Sequence, residues 1–336
     1  MDHLFALLPE ELAALVACDP AEARRILAHV ILGGADDLAP RHSVRRCVRE
    51  AVERLTRRDA LELVARSEDP SDGFVKYLFR SPDGALSEAV RIPLHRPGRF
   101  SLCLSSQVGC AMDCAFCATG RLGLTRHLEA WEMIAAFRAV AREGRISGAV
   151  FMGQGEPFHN YDEVIRAARI LAHPCGGRMA ARAISISTVG LVPAIRRYTR
   201  ERHPYRLIVS LTSAIAERRR RLLPIAGRQD LEALAAALRD HASVTGERIT
   251  IAWVLLGGIN SGREEAAALA DLLRGVPLRI NLIDVNDARP NGFARATDVE
   301  RNQFVDALQR LGAPIVRRYS GGATRHAACG MLTNVS

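Results

Sequence analysis

The chain has 336 residues, 48% of them apolar and 25% charged, the proportions of an ordinary water-soluble protein able to bury one large domain and a small one. No apolar run reaches membrane-spanning length, and the acidic start (Asp2, Glu10, Glu11) lacks the basic lead of a secretory signal, so no membrane association is expected and the expected location is cytoplasmic. The net charge of +9 rests almost wholly on arginine, Lys76 being the only lysine; it suits a polyanion such as RNA, although compositional arginine bias gives the same figure.

Residues 1–75 read as a small helical domain. Apolar residues recur at helical spacing through Leu12, Leu15 and Val16, then Ile26 and Val30, then Val48, Val52 and Leu55, with a break at Asp36-Asp37 and Pro40. The segment is rich in arginine (Arg24, Arg25, Arg41, Arg45, Arg46, Arg49 among others), which makes it a candidate RNA platform. Residues 76–97 form a linker with a hairpin signature: Phe74 to Phe79, a Pro82-Asp83-Gly84 turn, then Glu88 to Pro93.

Residues 98–336 alternate strand and helix. Strands are expected at 101–105, 148–152, 183–187, 206–211, 248–256, 278–285 and 314–319. Between them, residues 128–143 place Met133, Ile134, Phe137 and Val140 on one helical face. Asn160 with Glu163, and Thr297 with Glu300, have the spacing of capping boxes. Repeated β/α units predict an α/β fold around a parallel sheet, open or barrel-like, with ligands at the C-terminal ends of the strands.

Cys110, Cys114 and Cys117 follow the first of these strands in the pattern Cys-x-x-x-Cys-x-x-Cys. In a reducing compartment such thiols bind metal or do chemistry. A structural zinc site needs four closed ligands, and no second close Cys or His pair supplies them, although spacing leaves the distant Cys329 open as a fourth. A [4Fe–4S] cluster held by three thiolates keeps one iron free for a small molecule. The cluster is the favoured reading.

Cys110 to Cys117 at a strand end resembles the radical S-adenosylmethionine (SAM) superfamily, whose fold is a partial (β/α)6 barrel. The resemblance narrows to the RlmN/Cfr family of RNA adenine methyltransferases. It is carried in order by Leu102 to Cys110, Met152-Gly153-Gln154-Gly155-Glu156-Pro157, Ile186 to Pro193, Val209-Ser210-Leu211, Val254 to Asn260 and Ala327-Ala328-Cys329-Gly330. It spans roughly residues 74–331, and the ordered set is far more specific than any one motif.

The resemblance implies that Cys110, Cys114 and Cys117 hold the cluster, and that Gly155, Glu156, Ser187, Ser210, Leu211, Thr212 and Asn286 contact SAM. It further implies two SAM per turnover. Cys329 accepts a methyl group by displacement, and the second SAM, cleaved by the cluster, removes a hydrogen from that methyl. The carbon adds to an adenine ring position, Glu88 takes the ring proton, and Cys103 attacks the Cys329 sulfur, forming a disulfide and freeing the methylated base. The division is chemically sensible. An sp² adenine carbon is too weak a nucleophile for SAM, whereas a thiolate is not. The partners implied are a ribosomal or transfer RNA and a small electron donor such as a flavodoxin or ferredoxin.

Each of these residues also has a plainer reading. Cys329 or Cys103 can be a buried small hydrophobe. Ser187, Ser210 and Asn286 can be turn or cap residues. The run Arg218 to Arg221 reads equally as a solvated helix face or a phosphate contact. Cys18, Cys47 and Cys175 match nothing and read as structural.

The chain also departs from the family pattern. Thr212 stands where His is usual. Gly321-Gly322-Ala323-Thr324-Arg325-His326 replaces an acidic stretch before the methyl-bearing cysteine, and Pro224-Ile225-Ala226-Gly227 replaces Pro-Ile-Asn. It reads as a divergent member. The competing readings are a radical SAM enzyme acting on a peptide or small molecule, and a non-catalytic RNA-binding protein, although 5% aromatic residues offer no obvious base-stacking platform.

Overall fold

The computed structural model describes residues 1–38, 43–286, 292–318 and 321–333; Pro40, Arg41 and Tyr319 lie outside them. Three short helices open the chain: α1 (Pro9–Val16), α2 (Pro20–Leu27) and α3 (Arg46–Leu55). Proline at the first turn and a side-chain cap start α2, where Asp19 Oδ1 accepts from the Ala21 amide at 2.7 Å.

The expectation of helix through residue 75 fails at β1 (Glu62–Glu68), which pairs antiparallel with β2 (Val75–Arg80). β2 pairs with β3 (Leu86–Pro93) as the hairpin signature predicts. β3 then runs antiparallel to β4 (Arg99–Leu104).

After β4 come a small hairpin, β5 (Gln107–Gly109) with β6 (Leu124–His127), and helix α4 (Ala130–Ala141). The β/α alternation continues through β7 (Arg145–Phe151), α5 (Tyr161–Ala172), β8 (Ile184–Thr188), α6 (Val192–Glu201) and β9 (Arg206–Ser210). It ends with α7 (Ala216–Leu222), α8 (Leu231–Thr245), β10 (Ile249–Leu255), α9 (Arg263–Leu272), β11 (Leu278–Asp284), α10 (Asp298–Gln309) and β12 (Ile315–Arg318). The ten-stranded sheet runs β1-β2-β3-β4-β7-β8-β9-β10-β11-β12, with every neighbour from β4 onward parallel.

The order is sequential, and one contact shows that the sheet curls. Arg318, at the end of β12, donates to the Met152 sulfur just after β7, at 3.7 Å. In a flat sheet those strands lie five inter-strand steps apart, roughly 24 Å. No arginine spans that distance, so the parallel strands must wrap into a partial barrel.

The helices cover the outside in one continuous apolar core with the sheet, and the N-terminal helices join it. Arg138 on α4 donates to the Val30 and Ala35 carbonyls at 2.5 and 2.8 Å, and Arg166 on α5 donates to the Ala6 carbonyl at 2.9 Å.

One of the two expected capping boxes forms. Thr297 and Glu300 cap α10 reciprocally. Asn160 does not cap α5; its amide donates to the Ser106 and Leu128 carbonyls at 2.8 and 2.7 Å. Glu163 instead accepts from the Ala130 amide at the start of α4. Asn160 thereby ties the segment before the cysteines to the one after them, and Glu163 holds the start of α4.

Candidate active site

A cavity of about 160 Å³ opens at the C-terminal ends of the parallel strands, far larger than a packing defect. Its wall contains Cys103, Cys110, Cys114, Cys117 and Cys329 together with Gly155, Glu156, Ser187, Ser210 and Asn286. Thus ten of the thirteen residues expected at the site converge, from positions 103 to 329. Glu88, Leu211 and Thr212 do not line it.

The three-cysteine loop is held by backbone bonds on several sides. The Cys110 amide donates to the Gly123 carbonyl at 2.8 Å, and the Ala115 amide to the Leu222 carbonyl, at the end of α7, at 2.9 Å. The Ala118 amide donates to the Gly330 carbonyl at 2.7 Å, and Thr119 Oγ1 to the Leu332 carbonyl at 2.7 Å. The last two bonds fasten the segment bearing Cys329 onto the cysteine loop. Gly109 makes the tight entrance possible. Its φ is +75°, and a Cβ there would lie 1.9 Å from the Gly123 carbonyl oxygen.

Burial pushes the Cys110 thiol up to about 12 and raises those of Cys114 and Cys117. A cationic metal group reverses this by binding the thiolate form. Among the described residues, no three His, Cys, Asp or Glu side chains gather as a site for a single metal ion. Three soft thiols on one cavity wall are the donor set that an iron–sulfur cluster takes.

Glu156 sits beside this loop, fully buried. Its Oε1 accepts from the Phe158 amide at 2.9 Å and its Oε2 from the Val189 amide at 2.8 Å. Desolvation nonetheless raises it to about 7, above the ordinary carboxylate range. A buried carboxylate next to open space favours a cationic ligand, such as the ammonium group of an amino acid. Gly155, at φ +97°, packs its backbone against Gln107, whose Oε1 accepts from the Glu156 amide at 2.9 Å. Ser187 and Ser210 face each other at 3.4 Å on adjacent strand ends. The Asn286 side chain is oriented by Arg295, which donates to its Oδ1 at 2.6 Å.

Leu211 and Thr212 turn away as β9 ends. Thr212 adopts φ +60°, unusual for a β-branched residue, and its hydroxyl is buried without a hydrogen-bond partner among the described residues. Its backbone carbonyl accepts from Asn260 at 2.7 Å.

Cys103 and Cys329 pack in one apolar cluster with Phe74, Val90, Val150 and Leu332. The Cys103 thiol is pushed up to about 12, first by burial and then by Cys329, with Arg318 opposing. All eight cysteines are thiols in this structure, so the expected disulfide is not formed. Glu88 is sealed behind the wall. Its Oε1 lies 3.0 Å from Lys76 Nζ, and its Oε2 accepts from Gln154 Nε2 at 3.2 Å.

Two features escaped the sequence reading. Asp69 and Asp72, in the turn between β1 and β2, pin the loop before Cys329: Thr324 Oγ1 donates to Asp69 at 2.5 Å, and the Gly322 amide to Asp72 at 2.8 Å. The run Arg218 to Arg221 is neither uniformly solvated nor uniformly free for phosphate. Arg218 pairs with buried Glu265 at 2.6 Å, Arg219 is buried, and Arg220 and Arg221 are exposed. Burial lowers Arg219 to about 10. The signal was present in the sequence, since Ile215, Arg219 and Leu222 share one helical face.

Comparison with known proteins agrees with this geometry. A family profile described as the radical SAM superfamily matches residues 104–273. A protein of Anaeromyxobacter sp. (strain Fw109-5) named "Probable RNA methyltransferase" is 50% identical over 99% of both chains. The "Dual-specificity RNA methyltransferase RlmN" of Syntrophobacter fumaroxidans is 40% identical over 92% of this chain and 91% of its own length. The crystal structure of a radical SAM methyltransferase from Sphaerobacter thermophilus superposes with a TM-score of 0.90 at 36% identity, covering all of both chains. Members of that superfamily use a [4Fe–4S] cluster and SAM. The chain belongs to the radical SAM superfamily and, within it, to the RlmN-type RNA methyltransferases.

Proposed function

We propose that the protein methylates a ring carbon of an adenine in RNA, with Cys329 carrying the methyl group as S-methylcysteine and two SAM consumed per turnover. The observation that supports this best is that Cys103 and Cys329 share one cavity wall with the three cysteines of the loop. Cys110, Cys114 and Cys117 would hold the cluster, and Glu156, Ser187, Ser210 and Asn286 the SAM. Together these groups supply, when bound, one-electron cleavage and hydrogen-atom abstraction.

The chain's own side chains do the rest. Cys329, held against the loop through the Gly330 carbonyl, presents the methyl carbon to the base. Cys103 attacks the Cys329 sulfur: the S–S bond forms as the sulfur–methylene bond breaks, and the bonding pair left on that carbon takes a proton to give the methylated base. Glu88 accepts the ring proton, which requires Gln154 to move aside when RNA binds. Apolar Phe74, Val90 and Ile92 line the same space and keep water from reactive carbon.

The N-terminal helices are the proposed RNA platform: Arg25, Arg45, Arg46 and Arg49 line a second cleft there. The remaining partner is a small one-electron donor of flavodoxin or ferredoxin type. The free thiols suit the reducing cytoplasm.

Mass spectrometry of the C-terminal peptide, from protein purified anaerobically with its iron, tests this. We expect one added methyl on Cys329 that is absent in Cys114→Ala. An unmodified Cys329 in iron-loaded, SAM-treated protein would overturn the methyl-carrier reading and redirect attention to a peptide or small-molecule substrate.

A further inference from the structure

Arg219 is one of the two largest side chains that the fold buries completely. A guanidinium cannot shed its charge at neutral pH, so burying it is costly unless an anion answers it. Among the described residues no carboxylate does. Its Nη1 donates to the Leu211 carbonyl at 2.5 Å and more weakly to that of Ser210 at 3.5 Å; its Nη2 donates to the Val189 carbonyl at 2.6 Å. Its Nε is buried with no partner. Three carbonyl dipoles satisfy hydrogen bonds but leave a net positive charge in the interior.

The surroundings locate what answers that charge. Leu222, one turn along α7, receives the Ala115 amide of the cysteine loop at its carbonyl, and Cys114 and Phe116 pack against the apolar cluster that contains Leu222 and Leu223. Val189 and Ser210, whose carbonyls Arg219 holds, line the cavity beside Cys114, and Arg219 itself does not line it. The unpaired cation therefore stands behind the cavity wall at the cysteine loop, separated from it by backbone.

We infer that Arg219 is a positioning residue whose fixed positive charge is the counter-ion of the cluster held by Cys110, Cys114 and Cys117. This rests on the cluster assignment above. A cluster with three thiolates is an anion, and it gains a further negative charge on reduction. A buried cation nearby stabilises the reduced form more than the oxidised one and raises the reduction potential. The carbonyls of Val189, Ser210 and Leu211, at the ends of β8 and β9, keep the guanidinium in place and out of reach of substrate.

The test is an EPR-monitored potential titration of anaerobically reconstituted wild-type, R219Q and R219K proteins, with circular dichroism checking the fold. Glutamine keeps a donor to the carbonyls without the charge; lysine keeps the charge without the planar fork. We expect the R219Q midpoint to move to more negative potential while R219K stays near wild type. Failure of R219Q alone to take up iron also supports the charge role. Equal shifts in both variants, no shift in either, or failure of both to load would overturn it in favour of the hydrogen bonds. Wild-type protein that takes up no iron would overturn the cluster reading itself, and this inference with it.

Discussion

Lys76 Nζ stands 3.0 Å from Glu88 Oε1, and the two side chains are almost completely shielded from water. Because both are buried, removing one partner strands the other's charge in the interior, which costs about 3–5 kcal/mol. Lys76→Met is therefore expected to destabilise the chain by that amount in urea unfolding. The double variant Lys76→Met/Glu88→Leu should recover most of the loss, because it removes both charges. Glu88→Gln likewise strands the Lys76 charge and should cost a comparable amount, and because Glu88 is the proposed base it should also abolish methyl transfer by the protein that does fold.

Glu156 gives a pH dependence of definite sign. Its carboxyl is raised by burial to about 7 from an ordinary 4.5, so the folded chain holds the proton more tightly than the unfolded chain. Stability is fully present below pH 4.5 and falls as pH rises to about 7, by on the order of 3 kcal/mol, then levels. Glu156→Gln should flatten that profile in ligand-free protein. Affinity for SAM should move the opposite way, strengthening from pH 6 to pH 8 as the carboxylate forms; urea unfolding at several pH values checks the first slope and isothermal titration with SAM the second.

The turn between β1 and β2 acts on the loop before Cys329 from outside the barrel. Asp69→Ala or Asp72→Ala is expected to speed backbone hydrogen exchange over residues 321–330 while leaving the parallel strands unchanged. Methyl loading of Cys329 should fall in the same variants. Hydrogen bonds from Ser71 and Thr324 lower Asp69 to about 2, so wild-type pinning should hold above about pH 4 and loosen as pH falls toward 2.

Gly109→Ala should fail at the cysteine loop. The new methyl would lie 1.9 Å from a backbone oxygen, and the residue sits at φ +75°, where a side chain costs about 1–2 kcal/mol before any clash. The bond from Cys110 to Gly123 must then break. Expected is a folded protein with greatly reduced iron content, measured by colorimetric iron assay.

What the sequence made legible was mostly what repeats or clusters. The parallel strands announced themselves as short apolar runs between helical periods, and the loop cysteines and Cys329 were conspicuous by type. The edge strand β1 was missed because Glu62 to Glu68 is mostly exposed and charged, with no alternation for a buried face to impose. Asn160 imitated a cap because spacing does not reveal that its amide is claimed by two distant carbonyls. Leu211 and Thr212 were expected at the site with Ser210, but Leu211 alternates to the core face with Val209 and Thr212 enters a left-handed turn off the wall. Arg219 looked like its three neighbours in the run; the sign that set it apart was the helical face it shares with Ile215 and Leu222, which packs toward the cysteine loop. Local pattern reports faces and periods, whereas which distant group a side chain meets is decided by the curl of the sheet.

Lys76 has one more consequence. It carries the chain's only ε-amino group, and the fold hides it in the β2–β3 hairpin. Amine-reactive reagents therefore find one internal target, and only when that hairpin opens. Acylation of Lys76, followed peptide by peptide in the native protein, becomes a built-in clock for how often the antiparallel flap beside the barrel comes apart.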